Sequence, residues 1–151
     1  MSTSPEVDYL TLLYDVARLM RTRADQHARR DGMTRAQWVI LVWLERQPGL
    51  SQNELACLVE VEPITVARLI DRLEARGFVE RRPDPKDRRI RRLHLKAAAQ
   101  PLLEKIHVYK REFNAAMTEG IDPEALQHFA ESLVRMKANI VHQVRDTAKA
   151  G

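Results

Sequence analysis

One stretch, residues 51–95, constrains the fold of this chain more than any other: SQNELACLVEVEPITVARLIDRLEARGFVERRPDPKDRRIRRLHL. Ser51 followed three residues later by Glu54 is a capping box, so a short helix is predicted to begin here. Glu62-Pro63 predicts the start of a second, longer helix, because proline is well tolerated at the first helical position. Only residues 59–61 separate the two predicted helices, and this spacing indicates a helix-turn-helix.

The second helix of this pair has two different faces. Apolar residues recur at helical spacing along one side, and Gly77 supplies a C-terminal stop. We therefore predict that the buried face consists of Val66, Leu69, Ile70 and Leu73. The opposite face is predicted to carry Ile64, Thr65, Arg68 and Arg72.

A β-hairpin is predicted directly after the second helix. Residues 78–82 and 90–95 are short runs compatible with strands, and Leu93 and Leu95 alternate with polar residues as in a half-buried strand. The sequence Pro83-Asp84-Pro85-Lys86-Asp87 between the runs is typical of a turn. A hairpin that follows a helix-turn-helix has the position of a wing.

The positive charge of the chain is concentrated in this hairpin. Residues 81–96 contain eight basic and two acidic side chains, a balance of +6, and the remaining residues sum to −2, which gives the net charge of +4. A solvated surface usually intersperses its signs, whereas a concentrated basic block indicates a polyanionic partner. The alternative, an arginine-rich loop that is only a solvated surface, stays open.

The two ends of the chain are predicted to be helical. Residues 5–29 and 34–45 read as helices before the helix-turn-helix, and residues 97–119 form another after the wing. A last helix follows Asp122-Pro123, an N-cap and a first-position proline. Its apolar residues alternate at steps of three and four, as in a coiled-coil seam: Leu126, Phe129, Leu133, Met136, Ile140 and Val144. We therefore expect residues 1–33 and 97–151 to form a dimerisation region and residues 34–96 a DNA-binding lobe.

The residue types fit contacts to double-stranded DNA. The second helix of a helix-turn-helix contacts base edges in the major groove. Arg68 can pair with guanine, Ile64 or the methyl group of Thr65 can contact a thymine methyl, and Arg72 is placed to meet the backbone. On the hairpin, four arginines lie within five residues and follow Lys86: Arg88, Arg89, Arg91 and Arg92. These arginines are predicted to reach a minor groove, where narrow A·T tracts concentrate negative potential.

Asp87 is an acidic residue inside this basic patch. Paired with Arg89 two residues on, its carboxylate is predicted to brace the tip of the wing. The alternative is that Asp87 only favours the turn.

The segment TVARLIDRLEARGFVERRPDPKDRRIRRLHL resembles the recognition helix and wing of the MarR family of bacterial winged-helix regulators, and particularly its SlyA-like branch. The run Arg68–Glu74 matches the family's recognition helix, and Asp87-Arg88-Arg89 matches its wing-tip signature. The resemblance implies a homodimer, formed by the terminal helices, that binds pseudo-palindromic operators. It also implies major-groove contacts by residues 64, 65 and 68, minor-groove contacts by residues 88 and 89, and an effector such as a small aromatic acid or phenolic compound.

Two positions depart from the family pattern. Glu60 stands in the turn of the helix-turn-helix, where glycine is frequent, and Lys96 stands where threonine often caps the helix after the wing. Neither departure touches a proposed DNA contact.

Four residues are candidates for lining an effector cleft in such a dimer. Each is also a plausible core residue, which is the interpretation that we favour. They are Tyr14, Arg18, Trp38 and Tyr109.

Cys57 is the only cysteine, and we expect a small core hydrophobe rather than the sensor of a redox-responsive regulator. One cysteine cannot form an intramolecular disulfide, which fits a reducing cytoplasm. The five histidines include no H-x-x-x-H pair, so no metal site is expected.

No catalytic or cofactor-binding motif is present in the sequence. It contains no Walker A, G-x-G-x-x-G or G-x-S-x-G pattern, no signal peptide and no apolar run of membrane-spanning length. We therefore expect a cytoplasmic transcriptional regulator without enzymatic activity or cofactor. The rival from another class is a winged-helix protein-interaction module, although such a module has no need of Arg68 together with Arg88 and Arg89.

Overall fold

Helices dominate the fold. The computed structural model describes residues 7–149, and within them it describes side chains through residue 144. A two-stranded antiparallel sheet lies between the fourth and fifth helices, so the predicted class, mainly α with a small β-wing, is confirmed. The elements in chain order are α1 (Tyr9–Arg30), α2 (Arg35–Arg46), α3 (Gln52–Val59), α4 (Pro63–Ala75), β1 (Val79–Pro83), β2 (Arg91–Leu95), α5 (Gln100–Met117) and α6 (Pro123–Lys149).

Side-chain caps fix the start of several helices where the sequence predicted them. Thr34 and Gln37 form a complete capping box at α2, and Ser51 and Glu54 form another at α3. The Asp122 carboxylate accepts hydrogen bonds from the first backbone N–H groups of α6. These bonds satisfy donors that a helix leaves unpaired at its N-terminus.

The first helix begins later than predicted. The predicted start at Pro5 lies outside the described residues, and α1 starts at Tyr9. The cause is Asp8, whose carboxylate accepts hydrogen bonds from the backbone N–H and the hydroxyl of Thr11. Those two bonds lower the pKa of Asp8, with the side-chain bond as the larger cause. At the other end, Gly32 adopts a φ of +65° and terminates the helix.

The hydrophobic core lies among α2, α3, α4, the sheet and the first turns of α5. The predicted buried face of α4 is confirmed, because Val66, Leu69, Ile70 and Leu73 are all buried. Burying an aliphatic side chain of this size stabilises a fold by about 1.5–3 kcal/mol. The other large side chains that are almost completely buried are Ile40, Leu41, Leu44, Leu55, Val79, Leu93, Leu103 and Ile106.

The two strands pair in a register that runs from Val79 opposite Leu95 to Pro83 opposite Arg91. Each strand begins one residue later than predicted. The backbone N–H of Phe78 donates to the carbonyl of Leu73 and so belongs to the end of α4. The backbone N–H of Ile90 donates to the Asp87 carbonyl and so belongs to the turn. The wing therefore consists of β1, β2 and a tip of residues 84–90.

The helix after the wing also differs from its predicted form. Residues 97–99 form a short 3₁₀ helix before α5 begins at Gln100. Lys96 occupies the N-cap position and makes no side-chain cap bond there. A cationic side chain cannot accept the hydrogen bond that a threonine hydroxyl would accept at this position.

The chain divides into two units, residues 1–106 and 107–151, with the boundary inside α5. In the first unit α1 exposes most of its large apolar side chains, including Leu10, Leu12, Tyr14 and Leu19. In the second unit α6 exposes Phe129, Val134, Ile140 and Val144. None of the described helices is both long enough and apolar enough to cross a membrane.

Candidate nucleic-acid interface

The outward face of α4 carries the side chains predicted to read DNA. Ile64 has 66% of its surface exposed, and Thr65, Arg68 and Arg72 are also exposed. Pro63 is the first residue of the helix, as predicted. Ile64, Thr65, Arg68 and Arg72 therefore project from the first ten residues of a 13-residue helix whose other side is packed against the core.

The turn between α3 and α4 has a left-handed backbone geometry, which glycine adopts more readily than other residues. Glu60 has φ 54° and ψ 42°, and it is the only described residue other than glycine with a positive φ. Its backbone N–H donates to the carbonyl of Ala56, and the N–H of Val61 donates to the same carbonyl. The turn therefore places an L-residue in the left-handed region, which is unfavourable for every residue except glycine.

Three of the eight basic side chains between residues 81 and 96 are engaged within the protein. Arg81 and Arg92 bind acidic residues of the helices, and Arg82 pairs with Glu80 on its own strand. The sequence interpretation treated the whole block as one basic surface and missed this division. Its consequence is that the outward charge is concentrated at the tip and the start of β2.

Arg81 fastens β1 to the helix-turn-helix. Its guanidinium lies 2.6 Å from Asp71 and 2.9 Å from Glu74, both on α4. Its Nε donates to the side-chain oxygen of Gln52 on α3 at 2.9 Å. One side chain thus joins the wing to both helices of the motif.

Arg92 makes a second link from the wing to α3. Its Nε donates to Asp84 at 2.8 Å, and its Nη1 donates to Glu54 at 2.9 Å. The Arg92 hydrogen bond is the main cause that lowers the pKa of Asp84, followed by the backbone N–H groups of Lys86 and Asp87. The pKa of Glu54 is lowered chiefly by the backbone and side-chain bonds with Ser51. Asp84 thereby connects the tip to β2 and, through Arg92, to α3.

Asp87 has a local partner. Its carboxylate accepts a hydrogen bond from the backbone N–H of Arg89 at 3.0 Å. The sequence interpretation expected the Arg89 guanidinium at this place, and the described residues contain no hydrogen bond between the two side chains. The carboxylate that ties the tip to other elements is Asp84.

The remaining cations of the interface are available for an external partner. Within the part of the chain that the structure describes, their side chains form no hydrogen bond or ion pair. All of them are exposed. They are Arg68 and Arg72 on α4, Lys86, Arg88 and Arg89 at the tip, and Arg91 on β2.

The four candidate effector residues have different surroundings. Trp38 is 4% exposed and packs edge-on against His27, so the core interpretation holds for it. Tyr14 and Arg18 are exposed on α1, and the expectation that they are core residues is wrong for the single chain. In the second unit Tyr109 is half-buried and stacks on Phe113, with the ring centroids 5.7 Å apart.

Cys57 is exposed, so the prediction of a small core residue was wrong. Leu55 and Ala56 form the buried side of α3, and the next residues turn outward by about 100° each in a helix of 3.6 residues per turn. No three His, Cys, Asp or Glu side chains come together as a metal site among residues 7–144.

The comparisons with known proteins agree with this architecture. Residues 33–90 match the model of the MarR family. The chain is 32% identical to the transcriptional regulator PA3341 in a match that covers 89% of this chain and 98% of that one, with a TM-score of 0.79. It is 27% identical to the transcriptional regulator SlyA, with 91% and 96% of the chains covered and a TM-score of 0.79. An S. aureus MepR–DNA complex shares the fold at 24% identity and a TM-score of 0.74, with 91% and 99% covered.

Proposed function

This chain belongs to the MarR family of winged-helix regulators, and we propose that it is a sequence-specific, double-stranded DNA-binding transcriptional regulator without enzymatic activity. The observation that carries the proposal is the charge division within the wing. Arg81 and Arg92 bind carboxylates of the helix-turn-helix, while Arg88, Arg89 and Arg91 point to solvent. A basic hairpin fastened beside an exposed recognition helix suits the two adjacent grooves of a duplex.

In this proposal α4 lies in the major groove. Arg68 pairs with a guanine or a phosphate, and Ile64 or the methyl of Thr65 contacts a thymine methyl. Arg72, one turn further along, binds the DNA backbone. The exposed side chain of Ile64 is accessible for a contact of this kind.

The wing tip then follows the minor groove beside the same half-site. Arg88 and Arg89 enter the groove, where a narrow A·T tract strengthens the attraction. Asp87 shapes the tip by holding the Arg89 backbone, and Arg91 contacts phosphate. Cations that neutralise phosphates release counterions from DNA, so binding is expected to weaken as the salt concentration rises.

The functional form in this proposal is a homodimer. The dimerisation region comprises residues 1–33 and 97–151, and the DNA-binding lobe comprises residues 34–96. The exposed apolar side chains of α1 and of α6 support this assignment, because exposed apolar patches mark interaction sites. A two-fold dimer places two recognition helices in successive major grooves about 34 Å apart and therefore reads an inverted repeat.

We further propose a repressor, located in the cytoplasm, whose DNA affinity is lowered by a small aromatic or phenolic effector. Tyr14 and Arg18 are four residues apart on an exposed face of α1 and can offer an aromatic surface and a cation to an aromatic carboxylate. Trp38, in the same unit, is the third proposed lining residue.

Selection from a random duplex library, followed by footprinting on DNA that flanks the protein's own gene, tests the proposal. We expect an inverted repeat to emerge and to be protected. If only sequence-independent binding is found, the regulator proposal fails. Failure to retain duplex DNA together with binding to acidic proteins would instead support the protein-interaction module.

The dimer is tested by truncation after Ala138, which removes the exposed side chains of Ile140 and Val144. We expect the truncated chain to be monomeric by light scattering and to bind the operator poorly. A dimeric, fully active truncation would show that the interface lies elsewhere.

A further inference from the structure

Arg76 joins the C-terminal ends of two helices. Its backbone forms the C-cap of α4, with its N–H donating to the carbonyls of Arg72 and Glu74. Its guanidinium donates to the backbone carbonyls of Asp31 at 3.2 Å and Gly32 at 3.1 Å, at the end of α1. A cation at this place satisfies carbonyls that a helix leaves unpaired and complements the negative end of its dipole.

The guanidinium of Arg76 is also held from the side. Its central carbon lies 5.0 Å from the ring centroid of Phe78, within the range of a cation–π contact. The side chain of Met33, which is 3% exposed, contacts the same guanidinium nitrogen that binds Gly32. The Asp31 carboxylate binds Lys105 on α5 at 3.0 Å, so the segment that receives Arg76 is itself tied down.

The attachment of α1 to the rest of the first unit lies near this joint. Residues 7–23 are exposed except Ala17, and the half-buried or buried residues are Ala17, Ala24, Asp25, His27 and Ala28. The greater part of α1 therefore makes few contacts with the rest of the first unit. The contacts of Arg76 lie at the C-terminal end of α1, where the helix is attached.

We propose that Arg76 is a positioning residue that fixes the angle between α1 and the recognition helix α4, and through it the spacing between operator half-sites. The inference rests on the proposed function, in which α1 takes part in the dimer and α4 reads DNA. The 22 residues of α1 span about 33 Å at 1.5 Å per residue. A rotation of α1 by about 6° about its C-terminal end then displaces its N-terminal end by about 3.4 Å, the rise of one base pair.

The first experiment measures, without DNA, how narrowly the orientation of α1 relative to the helix-turn-helix is fixed. Exposed Cys57, the only cysteine, takes one spin label on α3, which packs against α4 in the helix-turn-helix, and Arg21→Cys provides a second on α1. Doubly labelled chains are diluted with unlabelled Cys57→Ser chains, so that the distance within one chain dominates the electron paramagnetic resonance signal. We expect Arg76→Ala to broaden the distance distribution and Arg76→Lys to broaden it less. An unchanged width in a folded Arg76→Ala protein overturns the proposal.

The second experiment measures spacing. Operators with one base pair inserted or deleted between the half-sites are compared with the selected operator by gel shift. We expect Arg76→Ala to lower the preference for the selected operator over the altered operators, the ratio of their affinities, by about tenfold, which is within what the loss of the two charge-assisted hydrogen bonds to Asp31 and Gly32 can supply. A purely stabilising role for Arg76 would lower the affinity for all spacings by one factor and leave the ratio unchanged, which also overturns the proposal.

Two variants make the result decisive. Arg46→Ala removes another arginine from a helix end, where the guanidinium lies 6.0 Å from the Trp43 ring, and it should change neither the width nor the ratio. If Arg76→Ala does not fold, Arg76→Lys decides, since lysine cannot span two carbonyls with a planar fork. Absence of sequence-specific binding by the wild-type protein overturns the proposed function and the spacing effect together, while the spin-label distances still decide whether Arg76 fixes the joint.

Discussion

Arg92 on the second strand of the wing donates a hydrogen bond to Glu54 on α3, with Nη1 and Oε2 2.9 Å apart. The same Glu54 oxygen accepts the backbone N–H of Ser51 at 2.7 Å and so completes the capping box of α3. The start of the helix-turn-helix and the second strand of the wing are therefore joined through one carboxylate. Asp84, on the other side of Arg92, extends the link to the tip.

Asp84→Asn tests this link. Asparagine keeps the shape and can still accept from the backbone N–H groups of Lys86 and Asp87, but the charge that binds Arg92 is lost. We expect faster proteolytic cleavage within residues 84–90 and operator binding weaker by several-fold, in a gel-shift titration, while the protein stays folded. Glu80→Gln is the matched control, because its pair with Arg82 lies within one strand. Wild-type affinity and protease resistance in Asp84→Asn would show that the tip needs no such tie.

Acid should break the ion pairs of Arg92 with Asp84 and Glu54, because protonation removes the charge of the two carboxylates. The pKa values of Asp84 and Glu54 lie below their ordinary values of 3.8 and 4.5 in the folded protein. A carboxyl group with a lowered folded pKa stabilises the protein fully above its ordinary pKa, and this contribution is lost as the pH falls through the folded value. When the pH is lowered from 7 to 3, the melting temperature of Arg92→Ala should therefore fall by less than the melting temperature of the wild type. Equal falls in the melting temperatures of the two proteins would show that Arg92 does not cause the loss of stability in acid.

Local signals predicted most of the helix boundaries. Thr34 with Gln37 and Ser51 with Glu54 form capping boxes within four residues, and Gly32 and Gly77 end their helices with positive φ. Such features depend only on neighbours in the chain, so they can be read from the sequence.

The partners of Arg81 could not be predicted in the same way. Its bonds to Asp71 and Glu74 exist because β1 lies against α4, and that placement is a tertiary fact. A signal was nevertheless present: Arg81 lies two residues after the buried Val79, and alternate residues of a strand share one face. The alternation therefore favoured an inward Arg81, whereas the charge count alone grouped it with the exposed tip.

The environment of Cys57 was ambiguous for a different reason. Leu55, Ala56, Cys57 and Leu58 are four consecutive apolar residues, and in a helix they point to every side. Periodicity cannot select a buried face from such a run, particularly in α3, which has only 8 residues. The structure buries the first two residues and exposes Cys57 and Leu58.

Arg88 and Arg89 should contribute to the salt dependence of binding, because a minor groove lies between two rows of phosphates whose charge their guanidinium groups would neutralise. Each arginine that neutralises a phosphate contributes about −0.9 to the slope of log K against log salt, so replacing one in both protomers should make the slope shallower by about 1.8. We expect this change, with weaker binding at every salt concentration, for Arg88→Ala and for Arg89→Ala. Arg46→Ala, also an exposed arginine, serves as the control. A slope equal to that of the wild type in both wing variants would remove the tip from the interface.

Glu60→Gly should stabilise the protein. An L-residue in the left-handed region costs about 1–2 kcal/mol, and glycine avoids that cost but loses about 0.5–1 kcal/mol through the greater freedom of its unfolded chain. The expected gain is about 0.5–1 kcal/mol, which corresponds to a rise of about 2 °C in the melting temperature of a chain this long. Differential scanning calorimetry measures the shift. Glu60→Ala is the matched control, because alanine removes the carboxylate but keeps the Cβ atom that makes this backbone conformation unfavourable. Equal stabilisation by alanine and glycine would trace the effect to the charge of Glu60 and not to its backbone.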